Sequence, residues 1–144
     1  MSEDSWKLPR YPLPRKAVGE GEHVYDPIRK DWYVLQPEEE VRQHLLLWLM
    51  EEKKISPNLI SVEKEISYRG TRRRFDVVVF DRDGRPWLLC ECKAPQVGIS
   101  QDTINQIARY NQALQAPHLL ITNGLGLVVF SQEPDGRFRL NKAW

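Results

Sequence analysis

Asp76, Glu91 and Lys93 are the side chains whose types and spacing most directly invite chemistry. They lie in RRRFDVVVFDRDGRPWLLCECKA (72–94), which reads as two strands folded back on one another. Asp83-Gly84 suits a two-residue type I′ turn, whose central residues both need positive φ. With those two at the bend, Arg82 faces Arg85, Val78 faces Leu89, Asp76 faces Glu91 and Arg74 faces Lys93. Directly opposed residues leave the same face of a sheet. Turn chemistry therefore predicts two carboxylates side by side, with a lysine two residues further along that face.

Opposed like charges destabilise an antiparallel pair. VVVF and WLLC are continuous apolar runs, the pattern of strands covered on both faces, so full hydration is not available either. An unpaired carboxylate there is expensive, and a divalent cation relieves both problems. A few hard oxygen ligands suit Mg²⁺, which keeps several waters and binds through one or two carboxylates plus substrate phosphate. The expectation is a metal site, with Mn²⁺ able to substitute.

The elements around the hairpin follow from periodicity. Pro37 opens a helix, and Glu38, Glu39 and Glu40 suit the positive end of its dipole. Val41, Leu45, Trp48 and Leu49 form one apolar stripe. Glu38 falls near the middle of that stripe, so it either decorates the helix start or reaches the metal site. Leu59–Arg69 alternates like an edge strand. A turn at Gly70-Thr71 would set Glu65 across from Asp76 as a third acid. Arg69, Arg72, Arg73 and Arg74 with Lys64 form the one dense basic run, placed where a polyanion's backbone would pass the acids. After Lys93, Ser100 caps a second helix that buries Ile104, Ile107, Ala108 and Leu114. Gln106 and Tyr110, four apart, share a face of it. HLLIT (118–122) reads as a buried strand, making strand–helix–strand a parallel crossover. LGLVVF (125–130) returns as a further strand, and Arg137–Leu140 suits a short edge strand. Residues 1–36, with Pro9, Pro12, Pro14 and Pro27, read as an irregular arm, with a short strand at most near Trp32–Leu35.

The totals fit one domain. The chain has 144 residues, 41% hydrophobic and 28% charged, with a net charge of +1, so nucleic-acid contact must be local rather than a basic coat. Cys90 and Cys92 flank Glu91 on one strand and cannot bridge, which suits a reducing cytoplasm. No run of apolar residues is long enough to span a membrane. His23, His44 and His118 lack ligand spacing, and neither a P-loop nor GxSxG occurs.

The order helix, three-stranded meander, helix, strand, carrying Asp76, then Glu91-Cys92-Lys93, then Gln106 and Tyr110, resembles the PD-(D/E)XK nuclease superfamily. Pro37-Glu38-Glu39, Val41-Arg42-Gln43, Glu91–Pro95 and Thr122-Asn123-Gly124 resemble the N-terminal nuclease domain of the type I restriction enzyme R subunit, in a short stand-alone form. Phe75 stands where the superfamily's name has proline. The resemblance implies an α/β, restriction-endonuclease-like fold over 37–144: a mixed sheet flanked by helices, in the order α-β-β-β-α-β plus a C-terminal strand. It implies Mg²⁺ held by Asp76, Glu91 and the main-chain carbonyl of Cys92, with Glu38, or in its place Glu39, contributing through water. Lys93 would orient the attacking water. Gln106 would support the site, and Arg72, Arg73, Arg74, Gln106 and Tyr110 would contact DNA. The implied activity is DNA endonuclease cleavage to a 5′-phosphate and 3′-hydroxyl, in a homodimer or a larger restriction or repair assembly. The rival is a nucleic-acid-binding or assembly module that keeps the fold without catalysis.

Overall fold

A computed structural model describes residues 6–144. A three-stranded antiparallel sheet comes first: β1 (Arg15–Val18), β2 (Gly21–Asp26) and β3 (Asp31–Val34). Helix α1 (Pro37–Glu51) follows, then a 3-10 turn (Pro57–Leu59). The main sheet has six strands in sequence order: β4 (Ile60–Tyr68), β5 (Thr71–Phe80), β6 (Pro86–Cys92), β7 (His118–Thr122), β8 (Leu127–Gln132) and β9 (Phe138–Leu140). Helix α2 (Gln101–Leu114) connects β6 to β7, the one parallel pair of the described sheet. This is the expected mixed α/β architecture. Among the described residues no helix is long and apolar enough to cross a membrane.

Continuous apolar strands are explained by a helix on each face. Val77, Val79, Leu88, Cys90, Cys92 and Leu120 pack toward Val41, Leu45, Leu46 and Leu49 of α1. Val78, Leu89, Leu119 and Ile121 pack toward Ile107 and Leu114 of α2. Alternate side chains go to opposite faces of a strand, so no position in these runs is left for water. Ser100 caps α2 as expected, its hydroxyl accepting from the Thr103 amide at 3.2 Å.

Residues 6–36 depart from the irregular arm expected of them. β1 is exposed along its length, and β2 turns Val24 and Asp26 inward. A small sheet with one polar inward position carries no period-two apolar signal, and the prolines around it point to irregular chain. The segment ahead of it lies on α1 and on the β7–β8 turn. Leu8 is fully buried, and its amide donates to the Gly124 carbonyl at 3.1 Å. Gly124 has φ +89°, and a Cβ there would fall 2.5 Å from the Trp6 ring, so glycine is required on both counts.

His44 ties this segment to the helix. The Tyr11 amide donates to His44 Nδ1 at 3.0 Å, and the ring packs edge-on against Trp6. Burial, with Arg10 and Arg15 nearby, lowers the His44 pKa to about 4. A depressed folded-state pKa gives stability that is complete above the unfolded value near 6.5 and is lost as pH falls toward 4. The stability of the wild type, followed by urea unfolding, should fall by about 2 kcal/mol between pH 7 and pH 4.5 from this group. His44→Gln should remove that part of the slope.

Candidate active site

Six of the expected residues meet at one place: Glu38, Arg74, Asp76, Glu91, Cys92 and Lys93. Glu38, Asp76 and Glu91 line a single cleft of about 160 Å³ together with Arg42, Glu63 and Arg74. The Lys93 ammonium lies 3.7 Å from a Glu91 oxygen. Cys92 is buried beneath, and its backbone N–H donates to Asp76 Oδ2 at 2.7 Å. Helix α1 supplies Glu38 and Arg42, β4 supplies Glu63, β5 supplies Arg74 and Asp76, and β6 supplies Glu91.

The hairpin reaches the expected register by a different route. The chain turns over Asp81–Gly84, with the Gly84 amide donating to the Asp81 carbonyl and only Gly84 taking positive φ. Asp81 Oδ1 braces the loop by accepting from the amides of Asp83 and Arg85. This three-residue loop places Phe80 across from Pro86, one residue out of the expected pairing. A bulge between Val79 and Phe80 then restores Val78 to Leu89 and Val77 to Cys90. The paired ladder ends at Val77–Cys90; Asp76 and Glu91, one step beyond it, both line the cleft. The β4–β5 turn also differs: it is Arg69-Gly70, with φ of 51° and 76°, not Gly70-Thr71. Glu65 therefore faces Arg74, and the acid in the Asp76 row is Glu63.

That row is where the sheet breaks its own rule. Phe75 packs toward α2 but Val77 packs toward α1, although two residues apart on a strand should share a face. Glu63 has φ +54°, and the pairing skips from Val62–Val77 to Lys64–Phe75. The register is the same on both sides of this unpaired Glu63–Asp76 step, and there the Asp76 carboxylate meets Arg42 of α1.

Arg42 is the residue that spacing alone did not single out. Its Nε donates to Asp76 Oδ1 at 2.8 Å and its Nη2 to the same oxygen, while Nη1 donates to Glu39 at 2.9 Å. Burial works against its charge, but Asp76 and Glu39 outweigh that and raise its pKa. Glu39, facing away from the cleft, also accepts from Arg29 at 2.7 Å. Arg29 in turn donates to Asp26 Oδ2 at 2.7 Å, and Gln43 bridges Asp26 and Glu39. A buried chain of alternating charge thus runs from the β2–β3 turn to Asp76. A helix-face count could have flagged Arg42, because it lies one turn after Glu38 and beside the buried stripe.

Burial and the neighbouring Asp76 push Glu91 up to about 7, with Lys93 opposing and Glu38 adding to the rise. Glu38 is raised for the same two leading reasons. The cleft therefore holds more negative charge than its own cations relieve. Gln106 does not line it; its amide donates to the Tyr110 hydroxyl at 2.8 Å on the α2 side. Arg72 and Arg74 lie on the acid side, paired with Glu65 at 3.1 and 3.8 Å, whereas Arg73 stacks over Tyr110.

Removing one member of a buried ion pair leaves the other uncompensated. Arg42→Met should cost about 3–5 kcal/mol in urea unfolding. Adding Asp76→Asn should recover part of that loss; a strictly additive pair would show that the contact is not formed.

A search of curated proteins finds no match to this chain. The sequence profile described as "Type I restriction enzyme R protein N terminus (HSDR_N)" matches residues 37–140, from the first turn of α1 to the end of β9 and so including every residue of the acidic cleft. On that match the chain belongs to the family of type I restriction enzyme R protein N-terminal domains, a nuclease-related module of restriction-enzyme type.

Proposed function

We propose that the acidic cleft hydrolyses DNA phosphodiester bonds with the help of a hard divalent ion, Mg²⁺ or Mn²⁺. The observation that carries this reading is the meeting of Glu38, Asp76 and Glu91 in one cleft with Lys93 alongside. The donor set suits such an ion. The oxygens are hard ligands, and the thiols of Cys90 and Cys92 are buried in the α1-side core. Asp76 Oδ1 already accepts twice from Arg42 and Oδ2 once from the Cys92 amide, which leaves one acceptor position on Oδ2. The raised pKa of Glu91 marks a place where added positive charge is favourable. Among the described residues no three His, Cys, Asp or Glu groups form a ready-made chelate. An ion here would be held by one or two carboxylates, with water and substrate phosphate completing its shell.

In this reading Asp76, Glu91 and the Cys92 carbonyl would hold the ion, and Glu38 would contribute through water. The ion would polarise the scissile phosphate and lower the pKa of bound water. Lys93 orients the attacking water and offsets charge on the phosphoryl oxygens. Arg42 fixes the Asp76 carboxylate in one orientation, and Arg74 flanks the approach of an anionic backbone. DNA would be the substrate, with a second copy or the other subunits of a restriction or repair assembly as partners.

The Arg42–Asp76 pair favours a second reading, because a guanidinium already neutralises the central acid. In that case the domain binds nucleic acid or assembles without cutting. Calorimetric titration with Mg²⁺ or Mn²⁺ separates the two. The wild type should bind the ion, and Asp76→Asn and Glu91→Gln should each lose it. Lys93→Ala should reduce cleavage by about 10²-fold or more while leaving DNA affinity within a few-fold. Absence of cleavage by the wild type on duplex, single-stranded and branched DNA with either ion would leave the binding module.

A further inference from the structure

The basic run 69–74 is not one surface. Strand alternation sends Arg72 and Arg74 to the acid side, where Glu63 and Glu65 pair with them. Arg73 goes to the other side and stands over the Tyr110 ring, 4.7 Å from its centroid. Arg69, at the hairpin tip, lies over Tyr68 at 5.2 Å. These two arginines and Arg109 of α2 line a separate cleft of about 240 Å³ with Tyr68 and Tyr110. No carboxylate lines it, and among the described residues none of the three arginines forms an ion pair.

We propose that this cleft is a second seat for the phosphate backbone of DNA, lying on the opposite face of the β4–β5 hairpin from the acidic cleft. Guanidinium forks bind phosphate oxygens in pairs, and stacking on an aromatic face sets the plane of the fork before the ligand arrives. Tyr110 is itself held by Gln106, so one of those planes is braced from α2. Arg73 is three residues and Thr71 five residues along β5 from Asp76, roughly 10 and 17 Å at 3.3 Å per residue. At about 3.4 Å of axis per nucleotide, the component along the strand alone corresponds to some three to five nucleotides, and the crossing from one face to the other adds to it. The inference rests on the proposed action on DNA and adds where the flanking backbone lies. It also gives Gln106 and Tyr110 a role away from the reacting atoms.

The test is DNA binding in EDTA, with a labelled duplex titrated over a range of KCl concentrations. Arg109→Ala combined with Arg69→Asn is the variant, asparagine being chosen because it tolerates the left-handed backbone at position 69. Removal of two phosphate contacts should make the plot of log K against log salt shallower by about 1.8. Melting temperature and Mg²⁺ affinity should match the wild type. An unchanged slope with intact DNA binding overturns the seat and leaves the nuclease reading standing. A shallower slope in a protein that cuts no DNA keeps the seat and removes the nuclease reading. Failure of the wild type to bind DNA at all overturns both.

Discussion

The contact between Arg42 and Asp76 decides how the rest of the site can be built. A carboxylate this deeply buried must have a partner, and the nearest one comes from a helix rather than from the sheet. Arg42 is itself too buried to stand on one counter-charge, so Glu39 shares it, and Arg29 then serves Glu39. Asp26 finishes the chain by accepting from Arg29, Gln43 and the amides of residues 28 and 29. Such a series gives little net stability over an apolar packing. Its consequence is mutual dependence: each charge is tolerable only while its neighbours are in place. Residues 26 and 29 lie before the family-profile match begins at residue 37, yet they brace its central acid.

This dependence explains what could be read from the sequence and what could not. Helix positions, the apolar strands and the pairing of Val78 with Leu89 follow from local turn chemistry and periodicity. The last of these is right in register and wrong in route. A three-residue loop shifts the hairpin by one, and a bulge at Val79/Phe80 shifts it back. Neither displacement has a strong local signal, because Asp83-Gly84 suits the shorter turn equally well. On the β4 side no second displacement compensates. Moving the turn from Gly70-Thr71 to Arg69-Gly70 brought Glu63 in place of Glu65. Arg42 was hidden for another reason: its role depends on a partner 34 residues away, and helical periodicity carries no information about that.

The small N-terminal sheet was hidden because its inward residues are used for charge rather than for apolar packing. Val24 and Asp26 are its two fully buried positions, and only one of them is hydrophobic. The same segment makes α1 buried on more of its circumference than its apolar stripe requires. Gln43 and His44 are almost inaccessible because Asp26 and Tyr11 cover them. Charged and polar residues on the outer face of a helix usually indicate solvent. Here they indicate a second layer.

An acidic cleft is a poor place to bring a polyanion unless its charge is managed from within. The lining sets Glu38, Glu63, Asp76 and Glu91 against Arg42 and Arg74, with Lys93 beside Glu91. Arg42, itself buried, cancels the charge of Asp76 and also lies 3.7 Å from Glu38 and 3.5 Å from Glu63. Arg74 acts from the exposed strand, where it is only loosely held by Glu63 and Glu65 at 3.5 and 3.8 Å. Exposed pairs of that length contribute little and exchange readily for a better acceptor. In the proposed reaction a phosphate arriving at the cleft would take Arg74 from its glutamates while Arg42 keeps Asp76 fixed. The buried cation gives the site its shape, and the exposed one remains available to an anionic backbone.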